Sequence, residues 1–425
     1  MLETILDCLK QVENDGWEIA DIKTHSWEFY FIRHELDQNR ALDVEHIHVR
    51  VYRKFGEYFG SAIAEIPVTA GYDEVLKQIR LLAAEALLVK NPVYSLNMPK
   101  PSDSSETPFP DLSDIAKDFI EVMRDIPETE TEDLNSYEIF VSSKTCRLLN
   151  SNGIDVTMSY PSSMVEAVVN ARRGDHEIEL YRMYNSGTCD REGLKEALTE
   201  TMRFGRDRLN AGGTPNLGTY DVVFSTDAAV QIYSYMAEQM STPMKYRGIS
   251  SWELEQPIAE GADGDRITLK AVKELKNSSE TRAYDRQGAP VRDLVLIEDG
   301  IAKHYWGDRQ FAQYMGIEDS FIAGNFTAEG GSETEEEIRS GDYLEAVEFS
   351  DFQVDEISGN IAGEIRLAYL HQGGEVRVVS GGSVSGSMHE FLKHMRMSKK
   401  LKQYNNYLIP SLTRLKDVTV TGSES

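Results

Sequence analysis

Between Tyr137 and Tyr184 the chain is written almost entirely in short alternating segments. EIFVSS, IDVTMSY and EIELYRMY are divided by turn residues, and Asn152-Gly153 is a strong hairpin signal. Side chains that alternate with a period of two belong to strands with one buried face, so this stretch commits the chain to hairpin-built sheet. Similar text precedes it, from Trp27 to Ile32 and from Val44 to Tyr52, with a turn at Phe55 to Glu57 leading into Tyr58 to Ile66. Helical spacing is confined to separate blocks: Leu2 to Val12, Asp73 to Leu88, Leu112 to Ile126 and Arg191 to Asn210. The run Asn97 to Asp111, with four prolines and no periodicity, reads as an exposed linker.

Ala211-Gly212-Gly213-Thr214-Pro215 marks a boundary, which divides the 425 residues into 1–213 and 214–425. Beyond it, a strand at Tyr220 to Ser225 and a helix at Asp227 to Met240 lead into a β-rich remainder. That remainder has strands at Arg266 to Val272, Val291 to Glu298, Tyr343 to Val354, Gly363 to His371, Glu375 to Val379 and Thr413 to Thr421. The acidic, glycine-bearing run Glu329 to Asp342 reads as an exposed loop, and Met388 to Lys402 as one amphipathic helix. The fold class expected is α+β, with a mixed N-terminal half and a β-rich C-terminal half.

Hydrophobic residues make up 40% and charged residues 27%, the balance of a soluble globular protein. A net charge of −27 argues against nucleic acid or an anionic membrane as a direct partner, because binding there requires Lys and Arg to neutralise phosphates. Cys8, Cys146 and Cys189 have no CxxC spacing and an odd count, which fits reduced thiols in a cytoplasm. The N-terminal helix carries acidic residues and does not read as a signal peptide, and no apolar run reaches membrane-spanning length.

One string invites a catalytic reading. His389-Glu390-Phe391-Leu392-Lys393-His394 is HExxxH, with two imidazoles to bind zinc and Glu390 as a base for metal-bound water. Positions five apart lie about 140° apart around a regular helix, so His389 and His394 cannot share a metal unless the helix bulges or ends. The same residues also read as a plain amphipathic helix, with Met388, Phe391, Leu392 and Met395 inside and His389, Glu390, Lys393 and His394 outside. His46 and His48 share one face of a strand, with no third ligand evident nearby, and read as a polar sheet face. Gly381 to Gly386 lacks the P-loop lysine and reads as a tight turn, and Val384 occupies the serine position of a GxSxG pattern.

Several blocks, in order, resemble the TldD/PmbA family, whose members include a heterodimeric metallopeptidase and were once described as modulators of DNA gyrase. Asn150-Ser151-Asn152-Gly153 resembles the family's NSxG turn. Thr281 to Pro290, containing Asp285, Gly288 and Pro290, resembles its S-x-x-[FY]-D-x-x-G-x-P block, with threonine for the first serine. Leu296 to Ile301, Ser383 to Met395, Pro410-Ser411-Leu412 and Val418 to Gly422 continue the likeness, which spans about Val49 to Gly422. In TldD-like members the HExxxH string lies in the first helix after the boundary, and a cysteine near the C-terminus completes the metal site. The matching positions here are Tyr233, Ser234 and Glu238, and the closing segment Tyr407 to Pro410 has no cysteine.

The resemblance therefore implies a two-domain TldD/PmbA-like architecture and a cytoplasmic, PmbA/TldE-like subunit without catalytic residues or a cofactor of its own. Its implied partner is a TldD-like metallopeptidase chain, in a dimer that handles extended peptides during proteolysis. Two alternatives stay open: a zinc peptidase using His389, Glu390 and His394, and a homodimeric peptide-binding protein with no peptidase partner.

Overall fold

The computed structural model describes residues 1–102 and 108–423. Its N-terminal half is built on one antiparallel sheet in the order β3-β2-β1-β4-β5-β6. The strands are β1 (Gly16–Ile32), β2 (Glu35–Phe55), β3 (Tyr58–Ile66), β4 (Glu132–Asn150), β5 (Asp155–Arg173) and β6 (His176–Ser186). Three of them are the segments that alternation marked between Tyr137 and Tyr184. Helices α1 (Leu2–Gln11) and α2 (Tyr72–Ala86) cover one end of the sheet through Ile5, Leu9, Val75, Ile79 and Leu82, packed on Ile47, Val49 and Val51. At the other end, α3 (Leu112–Arg124) and α4 (Arg191–Leu209) bring Phe119, Met123, Leu194 and Leu198 onto Ile139, Val141, Val165 and Val169. Burial of such stripes is what turns an amphipathic helix into a fixed layer.

The C-terminal half carries two sheets. The first strands are β7 (Gly212–Gly213), β8 (Gly218–Phe224), β9 (Leu269–Val272), β10 (Leu294–Glu298), β11 (Ile301–Ala302) and β12 (Asn325–Ala328). Then come β13 (Tyr343–Val354), β14 (Asn360–Gln372), β15 (Glu375–Ser380), β16 (Ser383–Ser387), β17 (Arg396–Met397), β18 (Leu401–Tyr404), β19 (Tyr407–Pro410) and β20 (Thr413–Thr421). One sheet runs β11-β10-β9-β12-β19-β18. The other runs β13-β8-β20-β16-β14-β15-β7, with β17 added against β20. Between them lie α5 (Val230–Gln239) and a large shared core that includes Phe224, Met236, Leu269, Leu296, Ile365 and Leu415. The fold is α+β, and no helix among the described residues is long and apolar enough to cross a membrane.

Four readings of the sequence change. The strand text at Trp27 and Val44 belongs to much longer strands, because β1 and β2 pair from Gly16↔Tyr52 to Ile32↔Glu35. The polar run Glu35 to Asp43 is exposed throughout and lacks the alternation that would have revealed it. After the short helices α6 (Thr242–Tyr246), α7 (Arg309–Tyr314) and α8 (Glu335–Ile338), the helix expected over Met388 to Lys402 ends at His394, as α9 (Met388–His394). There the loop 263–265 captures the backbone: Asp263 N and Gly264 N donate to Lys393 O at 2.9 and 3.0 Å, and Asp265 N donates to Met395 O at 2.8 Å. The Asp265 carboxylate then accepts from Met397 N at 2.7 Å, which pulls the chain into β17.

Glu329 to Asp342 is exposed over most of its length, as expected, but it is a tethered strap carrying a short helix. Gly331 N donates to Ser398 O at 3.0 Å, Thr334 caps a helical turn at Glu335–Ile338 with a capping box, and Ile338 is fully buried. The linker near 97–111 includes residues 103–107, which lie outside the described residues. Its flanks are tied down, since Asn97 Nδ2 donates to Gln287 O at 3.2 Å and Phe109 packs against the α3 core.

Candidate functional site

Helix α5 follows β8 through a short turn at Asp227–Ala229 and is enclosed on most sides, with Ile232, Tyr233, Tyr235, Met236 and Ala237 all buried. Tyr233 is fully buried, and its hydroxyl pairs with Thr413 Oγ1 at 2.9 Å, while burial holds the phenol well above its ordinary range. Ser234 and Glu238, four apart, share the adjacent face and lie beside Tyr407. Burial, reinforced by the nearby Glu356 charge, pushes the Glu238 carboxyl up to about 7. Gln239 Nε2 donates to Glu356 O at 2.7 Å and ties the end of α5 to the β13–β14 turn. Glu356 carried no signal in the sequence, because the β13–β14 turn brings it to α5 from far along the chain.

The donor chemistry at α5 does not fit zinc. Tyr233 is a neutral phenol already engaged with Thr413, Ser234 is a hydroxyl, and Glu238 is a carboxyl that burial favours in its uncharged form. No imidazole or thiolate from the helix faces the site, and among the described residues no three His, Cys, Asp or Glu side chains converge as a metal-binding group.

The HExxxH residues sit on α9, as the amphipathic reading has it. Met388, Phe391, Leu392 and the following Met395 are buried, while His389 and Glu390 are exposed. Glu390 pairs with Lys393 at 2.9 Å, and His394 Nδ1 meets Asp263 Oδ1 at 2.6 Å. His46 pairs with Glu65 at 2.6 Å on the N-terminal sheet.

The remaining motif positions form two matching turns. Asn150 Oδ1 accepts from Asn152 N at 2.9 Å and Ile154 N at 3.0 Å, Gly153 N donates to Asn150 O at 3.1 Å, and Gly153 adopts φ 98°. Asp285 repeats this arrangement. Its Oδ1 accepts from Gln287 N at 2.8 Å and Ala289 N at 3.0 Å, Gly288 N donates to Asp285 O at 3.1 Å, and Gly288 adopts φ 74°. Asp285 Oδ2 also takes Ile322 N at 2.8 Å, and Pro290 closes the turn by bridging to Tyr284. Ser151 Oγ accepts from Trp17 N at 3.2 Å.

The two turns touch. A Cβ on Gly288 would lie 2.8 Å from Ile154 Cγ2, so only glycine admits the contact. These residues therefore join the two halves.

Residues 217–422 match the PmbA/TldA metallopeptidase C-terminal domain. The chain belongs to the TldD/PmbA family. This is a metallopeptidase-related family, and two curated relatives are metalloprotease TldD homologs from Buchnera aphidicola strains. One, from the Acyrthosiphon pisum symbiont, is 30% identical over 139 residues, which covers 29% of this chain and 29% of that protein. The other, from the Schizaphis graminum symbiont, is 27% identical over 195 residues, covering 42% of this chain and 39% of that protein. These stretches span well under half of the relatives' own lengths. Among solved structures, TldE from Thermococcus kodakarensis superposes with a TM-score of 0.76 at 19% identity, covering 99% of this chain and 100% of TldE. At that identity the likeness shows the fold, and this TldD/PmbA member shares it from end to end.

Proposed function

We propose that this chain is a non-catalytic, PmbA/TldE-like subunit of a TldD-type metallopeptidase complex that acts on extended or unfolded peptides in the cytoplasm. The observation that carries the reading is α5. At the positions where TldD-like members resemble a zinc helix, this chain has a buried phenol, a hydroxyl and a carboxyl pushed up to about 7. Those groups hold the helix in place and offer no metal a ligand set. Strand β18 supports the second part of the reading: it is the last strand of its sheet, and a terminal edge can take an extended main chain by hydrogen bonding without selecting sequence.

The test is a peptidase assay on an unstructured peptide, with this chain alone, with a TldD-like chain alone, and with both. Cleavage confined to the mixture, together with co-purification of the two chains, is the expected result. Cleavage by this chain alone, with one equivalent of zinc that His394→Ala removes, would refute it in favour of a site at His389 and His394.

A further inference from the structure

Where the two halves meet, a cavity of about 520 Å³ opens between β1, β2 and β4 on one side and residues 286–287 and 308–310 on the other. Its size lies in the range of small-molecule sites. Its polar lining is unusual in what it leaves unsatisfied. Glu18 lies at the wall with Oε2 accepting from Tyr52 OH at 2.6 Å, and its nearest cation, Arg50 Nε, stands 3.8 Å away. Oε1 of Glu18 accepts no hydrogen bond from any described residue, although the side chain is only 20% exposed. Burial raises this carboxyl above its usual range against the pull of Tyr52 and Arg50, as expected of a carboxylate short of positive charge.

From the opposite wall comes Arg286, an exposed guanidinium that forms no ion pair with any described carboxylate. The lining also includes Asp308, whose Oδ1 is committed to Phe311 N at 3.0 Å as a helix cap. Two arginines and two carboxylates thus share one cavity, with an acceptor free on Glu18 and a donor fork free on Arg286. A simple anion placed there meets Glu18, and a simple cation meets Arg286. A molecule with one end of each sign satisfies both, and the guanidinium fork suits a carboxylate in particular. Tyr52, Tyr94 and Ile154 give the space between them apolar walls.

We propose that this cavity binds a short unblocked peptide, its terminal ammonium on Glu18 and its terminal carboxylate on Arg286. The inference rests on the cavity lining alone and stands or falls separately from the peptidase-subunit reading. Because the two contacts come from different halves, the ligand bridges the joint that the Asn150 and Asp285 turns already make.

Calorimetric titration with alanyl-alanine, N-acetyl-alanyl-alanine and alanyl-alanine amide tests it. Binding of the unblocked dipeptide, weakened about tenfold or more by either blocking group, is expected. Arg286→Gln should weaken the dipeptide by a similar factor and leave the amide unchanged, whereas Glu18→Gln should weaken the dipeptide and leave the acetylated form unchanged. Arg286 is exposed, so its variant keeps the test meaningful even if Glu18→Gln disturbs folding, which circular dichroism reports. No binding of the dipeptide at millimolar concentration, or equal binding by wild type and Arg286→Gln, overturns the proposal.

Discussion

Gly288→Ala probes the joint between the two halves more sharply than any other single change. Two costs follow from the geometry. At φ 74° an alanine Cβ crowds its own backbone, for about 1 kcal/mol. The same Cβ meets Ile154 Cγ2 at 2.8 Å and Cδ1 at 3.0 Å, and forcing an extra methyl into a packed contact costs about 2 kcal/mol more. The variant should therefore lose about 3 kcal/mol. Ile154 is 3% exposed, and Ile154→Ala alone should cost about 3 kcal/mol through lost burial and an unfilled space.

The two losses are not independent. Removing the Ile154 side chain removes the obstacle but not the backbone strain, so Gly288→Ala in the Ile154→Ala background should cost only about 1 kcal/mol. The coupling of about 2 kcal/mol is what a double-mutant cycle measures, by urea denaturation of the four proteins followed by tryptophan fluorescence. If the cost of Gly288→Ala is the same in both backgrounds, the Asn150 and Asp285 turns are not pressed together and the joint described here is wrong.

Tyr233→Phe deletes the buried hydroxyl that pairs with Thr413 Oγ1 and strands that partner, so it should lower stability by about 1 kcal/mol while leaving the circular dichroism spectrum unchanged. Glu238 titrates near 7 in the folded protein against 4.5 as a free side chain, so its contribution is complete below pH 4.5 and is lost as pH rises through 7. The urea midpoint should fall between pH 5 and pH 8, and Glu238→Gln should flatten part of that slope. Glu348, which burial also pushes up to about 7, contributes to the rest.

Most of the sheet text was legible in the sequence because its strands bury one face. β13 and β20 fall where the sequence places strands, and β4 and β5 meet at the Asn152-Gly153 turn. What stayed hidden has a physical cause in each case. The outer length of β2, from Glu35 to Asp43, is exposed throughout, so no period marks it. The end of α9 is imposed by Asp263 to Asp265, residues more than a hundred positions earlier, against a local sequence that would continue the helix. The strap at Glu329 to Asp342 looks like solvated acid, yet Glu333 and Glu335 are spent on Arg396 and Ser411. At the site, the α5 positions were found through family likeness alone. Tyr407 lies in the closing segment that the same likeness singled out, whereas Glu356 could not be found at all, because nothing local marks a residue whose only peculiarity is where it is folded to.

The motif positions divide by what their side chains touch. Asn150 and Asp285 spend their oxygens on backbone N–H groups two and four residues ahead, and the glycines that follow them supply the positive φ that the turns need. Two separate stretches of chain have thus arrived at the same turn, and the turns dock on each other through Ile154 and Gly288. The docked turns join the N-terminal sheet to the C-terminal core, alongside the apolar packing of Leu180 and Phe204 on Val347 and Leu367. They leave beside themselves the polar cavity bounded by Glu18 and Arg286. The groups still unpaired, the Glu18 carboxylate oxygen and the Arg286 guanidinium, lie one step away from the motif, held in position by it.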